Sequence, residues 1–259
     1  MRLALYTTIY PESLPFLQQW SASVFAQTCQ EFDLWIALDG VSETDVFAAA
    51  TRRFGAQFLS APAQSTPAGV RNYALAVLLD FCDVVVLVDS DDILLPTRVE
   101  AALVAAEKND LTASAMELVD VTGDRLNISF DPAVEGNDIV HGNVFGFSNT
   151  TWRSSLLRDC LPASPDCRLM DWLVAVKAHL KGAAVGFDST PRMLYRQYSG
   201  NVAVLVPPFD SHQVMAAARL VLGHYRLLVR DVLPGNPGGT APFVHAYEEI
   251  SLFCKVMSS

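Results

Sequence analysis

Residues 84–96 read VVVLVDSDDILLP. Five apolar residues run directly into three carboxylates, Asp89, Asp91 and Asp92, within four positions. An unbroken apolar run of this kind suits a strand buried on both faces, as in a parallel sheet covered by helices. Like charges crowded at its end repel one another, at a cost unless water or a cation takes up the repulsion. The ordinary reading is a solvated turn in which an Asp caps the next helix. Three carboxylates straight after a buried strand exceed what a cap needs. A hard divalent ion such as Mn²⁺ or Mg²⁺ takes oxygen ligands, typically one or two carboxylates completed by phosphates. In extended chain Asp89 and Asp91 point the same way, and Asp92 points the other way or into the next helix.

Working outward, apolar runs at 2–8, 32–40, 56–62 and 83–92 alternate with helical periodicity at 14–28, 42–55, 66–81 and 95–109. Strands alternating with helices predict βαβ units and a mainly parallel sheet. Ligands of such sheets sit outside the carboxyl ends of the strands, the edge that holds both LDG (38–40) and DSDD (89–92). The second half is less regular. A strand and turn are expected over 113–124, a strand and short helix over 143–157, and a helix over 168–182. Two short strands around Pro191 follow (183–201), then a long amphipathic helix (210–233), a loop (PGNPGG, 234–239) and a last helix over 242–256. The division expected is a catalytic α/β domain over 1–202 and a helical extension over 203–259.

The chain has 259 residues, of which 51% are hydrophobic and 18% charged, and a formal net charge of −10. That composition supports one large α/β domain with a modest extension. The acidic balance argues against nucleic acid or an anionic membrane as the main partner. No apolar run approaches the ~20 residues of a membrane span, and MRLALYTTIYPE lacks a secretory signal pattern. The five cysteines, 29, 82, 160, 167 and 254, form no Cys-x-x-Cys and read as reduced packing residues of a cytoplasmic protein. Cys160 and Cys167 as metal ligands are the weaker alternative. The histidines at 141, 179, 212, 224 and 245 have no metal-site spacing. P-loop, Gly-x-Gly-x-x-Gly and Gly-x-Ser-x-Gly patterns are all missing.

Other candidates carry a bland reading beside the functional one. Asp39 lies in a common Asp-Gly turn and gains interest only from sharing the edge with the acidic cluster. Asp171, one turn into its helix, suits the helix dipole, or serves as a general base worth about 10²–10⁴-fold in rate. Arg71 is either a surface residue or the partner of a carboxylate or phosphate.

Together these stretches resemble the family-two glycosyltransferases of the GT-A fold, over about residues 2–202. FAQTCQEFDLWIALDGVSETD resembles the family's second-strand region, GVRNYALA its Ala-Arg-Asn helix start, and VVLVDSDDILLPTRVE its Asp-x-Asp segment. MDWLVAVKAHLKG resembles its Glu-Asp-x-x-Leu helix and MLYRQYSGN its Tyr-Arg-x-His-x-x-Asn segment. The resemblance implies Asp91 as metal ligand, with Asp89 and Asp92 supporting metal and ribose. It implies Asp39 on the nucleotide base, as acceptor of a uracil N3–H, and Asp171 as catalytic base. Thr7, Thr8 and Tyr10 would line the nucleotide pocket, with Arg71, Ser90 and Arg196 as further donor-binding residues. The implied reaction is inverting, Mn²⁺- or Mg²⁺-dependent transfer from a nucleotide-diphosphate sugar, UDP-linked by preference, to a saccharide or lipid-linked acceptor. Location would be cytoplasmic, peripheral at the inner membrane face at most, with a homodimer through the C-terminal helices as an option. Three positions depart from the family pattern: Leu38 for Asp, Met170 for Glu and Tyr198 for His. They motivate an alternative, a sugar-nucleotide-binding module without transfer; a phosphohydrolase using the Asp-x-Asp pair is a third reading.

Overall fold

The computed structural model describes residues 1–133, 138–202, 204–236 and 239–257. In chain order its elements are β1 (Leu3–Ile9), α1 (Leu17–Phe25), β2 (Asp33–Leu38), α2 (Glu43–Ala50), β3 (Gln57–Ser60), α3 (Pro67–Leu78), β4 (Val84–Leu87) and β5 (Ile93–Leu94). These are followed by α4 (Arg98–Ala106), β6 (Leu111–Val119), β7 (Arg125–Phe130), β8 (Thr150–Arg153), α5 (Ser154–Cys160), α6 (Met170–Leu180), β9 (Val185–Arg196), α7 (Ser211–Leu227) and α8 (Ala241–Val256).

The strands form one sheet in the order β3-β2-β1-β4-β8-β6-β9-β5, with β7 paired to β6. The expected parallel arrangement holds from β3 through β4. Beyond it the sheet is mixed: β8 runs antiparallel to both neighbours, while β6 and β9 are parallel. β4 is the hinge of the design. Its alternate residues enter different cores, Val85 and Leu87 beneath α3 and α6, Val84 and Val86 beneath α1 and α4. All four are at most 1% exposed, which explains an apolar run with no polar alternation.

Local chemistry sets the helix starts. Ser42 and Thr66 accept the N–H of Asp45 and Gly69 at the entries to α2 and α3, each 3.2 Å away. α2 ends earlier than expected, at Thr51 in the left-handed region (φ 55°) rather than at Gly55. Around Pro191 the structure has one strand, β9, instead of two. Pro191 cannot donate to the ladder, and a bulge absorbs the defect: Asp188 pairs with Ser114, and the next partner of β6 is Pro191. α7 is shorter than expected, passing into a π-helical turn at Leu228–Val232, since Pro234 cannot continue an α-helical ladder. β5 and β7 were not among the expected elements: β5 is two residues long, whereas Leu126, Ile128 and Phe130 of β7 do alternate as in a half-buried strand. Positions 237 and 238 of the expected loop lie outside the described residues.

α7 and α8 cover the sheet domain. Tyr225, Leu228, Phe243 and Ala246 join the same core as Trp172 and Leu173 of α6. Of the apolar face expected to cover, dimerise or touch lipid, Ala218, Leu222 and Leu228 are buried within this chain and Val214 is exposed. Among the described residues no helix is long and apolar enough to cross a membrane. His224 stacks on Trp172 with centroids 4.1 Å apart and planes 11° from parallel. It is 3% exposed, and neither ring nitrogen has a hydrogen-bond partner among the described residues.

That burial pushes His224 down to about 3 from an ordinary 6.5. Above 6.5 the ring is neutral in both folded and unfolded chains, so its full contribution to stability is present. As pH falls the unfolded chain gains a proton that the folded chain refuses, and stability drains away until the folded value is reached. Between pH 6.5 and 5 the loss is about 2 kcal/mol. His224→Phe, which keeps a stacked ring, should lose that much less over the same interval. Urea unfolding at the two pH values checks it; equal losses in both proteins would disprove the assignment.

Candidate active site

The carboxyl ends of β1, β2 and β4 meet at one edge of the sheet, and the acidic loop Asp89–Asp92 leaves β4 there. Its three carboxylates have different surroundings. Asp89 accepts hydrogen bonds from Arg71 (3.4 Å) and from the Ser148 hydroxyl (3.1 Å). Asp91 is 7% exposed, and its Oδ2 accepts from the hydroxyls of Tyr10 (3.1 Å) and Tyr198 (2.9 Å). Asp92 is 1% exposed and turned inward: Oδ1 accepts the Arg196 backbone N–H at 2.8 Å and Oδ2 shares a hydrogen bond with Ser148 Oγ. Burial, then the charges of Asp91 and Asp89, push Asp92 well above the usual carboxylate range. Asp91 is raised too, by burial first and Asp89 second. Both oxygens of Asp92 serve the loop's own architecture. The alternation read from extended chain is thus replaced by a turn that gives each of the three groups different hydrogen-bond partners, with Ser148 shared by Asp89 and Asp92.

Ser90 is fully buried, and its hydroxyl donates to the Thr8 carbonyl at 2.7 Å, tying the loop to β1. Arg196, expected among the donor-binding residues, is fully buried beneath the loop. Its Nε donates to the Asp91 carbonyl (2.7 Å), Nη1 to the carbonyls of Asp120 and Val121, and Nη2 to Gln19 Oε1 (2.6 Å). The guanidinium is thus engaged by three backbone carbonyls and Gln19, and it rests 4.7 Å from the centroid of Phe16. Thr7 is buried with no partner for Oγ1 among the described residues, and Thr8 shares a hydrogen bond with Tyr6. Asp39, half-buried, follows β2 and donates its backbone N–H to Ile9.

Asp171 stands in the first turn of α6. Its Oδ1 accepts the backbone N–H of Trp172 at 2.8 Å, and its Oδ2 accepts Asn143 Nδ2 at 2.9 Å. Burial pushes its carboxyl up to about 6, with the Asp89 charge adding to the rise and Arg71 opposing it. The charges of Asp89 and Arg71 thus both reach Asp171, and Arg71 and Asp89 line a small recess with Tyr6, Thr8 and Phe147. A carboxylate poised near neutrality and open to a cleft can accept a proton from a bound hydroxyl.

Of the residues named from sequence, Thr8, Arg71 and Asp89 line this recess. Tyr10 and Asp91 touch each other beside it, and Ser90, Asp92 and Arg196 form its support. Sequence reasoning missed Ser148, Asn143 and Gln19, whose partners lie 28 to 177 positions away in the chain. Two of the three departures are core residues: Leu38 and Met170 are buried among apolar side chains, and only Tyr198 enters the site.

No group of three or more His, Cys, Asp or Glu among the described residues is arranged to hold a metal by itself. The Cys160 and Cys167 thiols are buried and pushed up to about 11 and 12, so they stay protonated and are poor ligands. The donor set that fits a hard cation is Asp91 with Asp89: a desolvated carboxylate next to a second one, with no basic side chain hydrogen-bonded to Asp91. Two carboxylates leave room for the phosphate oxygens that complete such a shell.

The fold resembles that of solved glycosyltransferases. S. aureus TarS 1-349 in complex with UDP aligns over 97% of this chain and 71% of its own, at 17% identity and a TM-score of 0.62. The same protein in complex with UDP-GlcNAc aligns over 96% and 80%, at 16% identity and a TM-score of 0.62. The mannosyltransferase PcManGT from Pyrobaculum calidifontis, in complex with GDP-Man and Mn²⁺, aligns over 99% and 71%, at 13% identity and a TM-score of 0.63. No curated protein matches the sequence. The sequence model of glycosyl transferase family 2 matches residues 5–165, from the first strand to the segment just before α6. That is more than half of the chain, it sets aside the phosphohydrolase reading, and it means that the chain belongs to glycosyl transferase family 2.

Proposed function

We propose that this nucleotide-sugar glycosyltransferase moves a sugar, with inversion, from a UDP-sugar to a hydroxyl of a saccharide or lipid-linked acceptor. The observation that carries the reading is Asp171. It is a carboxylate fixed by Asn143 and its own helix start, lifted to about 6 and within electrostatic reach of Asp89 and Arg71. The nucleotide would lie along the carboxyl ends of β1 and β2, with Asp39 accepting the N3–H of the uracil and Thr7, Thr8 and Tyr10 beside it. A donor carrying UDP accords with the UDP and UDP-GlcNAc complexes of the TarS relative.

Mn²⁺ or Mg²⁺ held by Asp91 and Asp89 would neutralise charge developing on the leaving diphosphate; the Mn²⁺ in the mannosyltransferase relative supports this. Arg71, beside Asp89, sits where it can meet a phosphate or the donor sugar. Asp171 accepts the acceptor's hydroxyl proton as that oxygen bonds to the anomeric carbon. The bond from that carbon to the diphosphate breaks, its electron pair leaves with UDP, and one displacement inverts the centre. Raised basicity suits the task, since a carboxylate near 6 is ionised at neutral pH yet takes a proton more readily than an ordinary one.

Asp171→Asn should keep UDP binding and lose turnover by about 10²-fold or more, read as UDP-sugar hydrolysis with water as acceptor. Because the base must be ionised, wild-type turnover should climb with pH and level off above about 6. Full turnover in the variant, or a flat profile from pH 5 to 7.5, would reject the assignment. Asp91→Ala should abolish the gain in UDP affinity that Mn²⁺ confers on the wild type; calorimetric titrations with and without the ion decide this.

A further inference from the structure

Asp91 is already engaged. Its Oδ2 accepts two phenolic hydroxyls, Tyr198 at 2.9 Å and Tyr10 at 3.1 Å, and the hydroxyls themselves are 3.4 Å apart. Both phenols are held well above their ordinary range, with burial the largest cause. They are neutral O–H donors, and a proton aimed at a carboxylate lone pair stands where a cation would coordinate.

The arrangement around Tyr198 is built rather than incidental. Its ring packs on Phe16 with centroids 4.9 Å apart. Its backbone N–H donates to Asn201 Oδ1 at 2.6 Å, and Asn201 Nδ2 returns to the Arg196 carbonyl at 3.0 Å. Gly200 leaves the space the ring occupies, since a Cβ there would fall 2.4 Å from Tyr198 Cε2. Real Cβ contacts are not that short, so an alanine would displace the ring and with it the hydroxyl. Arg196 meanwhile pins the Asp91 carbonyl, which fixes the backbone from which the carboxylate projects toward the two phenols.

We infer that Tyr198, assisted by Tyr10, sets the cation affinity of this enzyme by competing through its hydroxyl for the Asp91 carboxylate, with Gly200 as the residue that lets it reach. This rests on the reading of Asp91 as the metal-binding carboxylate. A divalent ion that coordinates Asp91 through Oδ2 then displaces at least one phenolic hydrogen bond. The site responds to cation concentrations higher than an unscreened carboxylate pair would need. Tyr198 acts through Asp91 and is a positioning residue.

The test measures Mn²⁺ binding to the full chain by electron paramagnetic resonance of the free ion, with and without UDP. Tyr198→Phe keeps the ring on Phe16 and should tighten Mn²⁺ about tenfold, the worth of one hydrogen bond to a charged group. Tyr10→Phe should act in the same direction and the double variant should go further. Gly200→Ala, which retains both hydroxyls, should follow Tyr198→Phe. A purely structural role would not strengthen binding. Unchanged or weaker Mn²⁺ affinity in Tyr198→Phe overturns the inference, and a weaker one marks the phenol as a support for the bound ion. Asp91→Asn separates the two levels. If it loses Mn²⁺ while the tyrosine variants bind as wild type, only the competition fails. If it binds Mn²⁺ as wild type does, the metal reading of Asp91 fails and the inference with it.

Discussion

Arg196 closes β9 and reaches into the interior from there, and much of the site's geometry depends on where its guanidinium goes. One side chain joins the acidic loop, the turn after β6 and Gln19 of α1, while its backbone N–H holds Asp92. A buried cation is expensive unless its donors are satisfied. Arginine suits the place because its planar fork presents several donors in fixed directions. Lysine at this position would leave carbonyls on separate segments unanswered. The loop that offers Asp91 is thereby held from below by a group that never meets a ligand.

The acidic cluster resolves its mutual repulsion in three ways. Asp89 faces Arg71, Asp91 is capped by phenols, and Asp92 is lifted far from the ordinary carboxylate range and held by Ser148 and the β9 backbone. The greasy strand before them matters because a rigid, doubly covered β4 fixes where each acid begins. A flexible loop would let the three relax into water, and the distinction among them would be lost.

What could be read in the sequence was whatever is local. The β4 run, the Thr66 and Ser42 caps and the alternation of strand and helix lie within windows of a few residues, and the first four strands follow from them. The ordered set of motifs added the family. Contacts between distant segments were invisible: Ser148 meets Asp89 and Asp92 from 59 and 56 positions away, and nothing in GFSNTT distinguishes that hydroxyl from its neighbours. Arg196 was read as a ligand contact because an arginine near a family motif looks available, whereas burial is a property of the assembled sheet. β5, two residues long, carries too little pattern to detect, and the bulge at Pro191 joins what looked like separate strands.

The segment matched by the family ends at residue 165, yet the helix bearing Asp171 begins after it and is roofed by residues of α7 and α8. Tyr225 reaches back to the Val140 carbonyl and packs with His224 around Trp172, the immediate neighbour of Asp171. The tail is therefore masonry for the wall behind Asp171. A shortened protein stopping at residue 202 would strip Trp172 of its cover and expose a broad oily surface, so the smallest unit able to keep the Asp171 helix in shape extends well past the stretch that the family model matches.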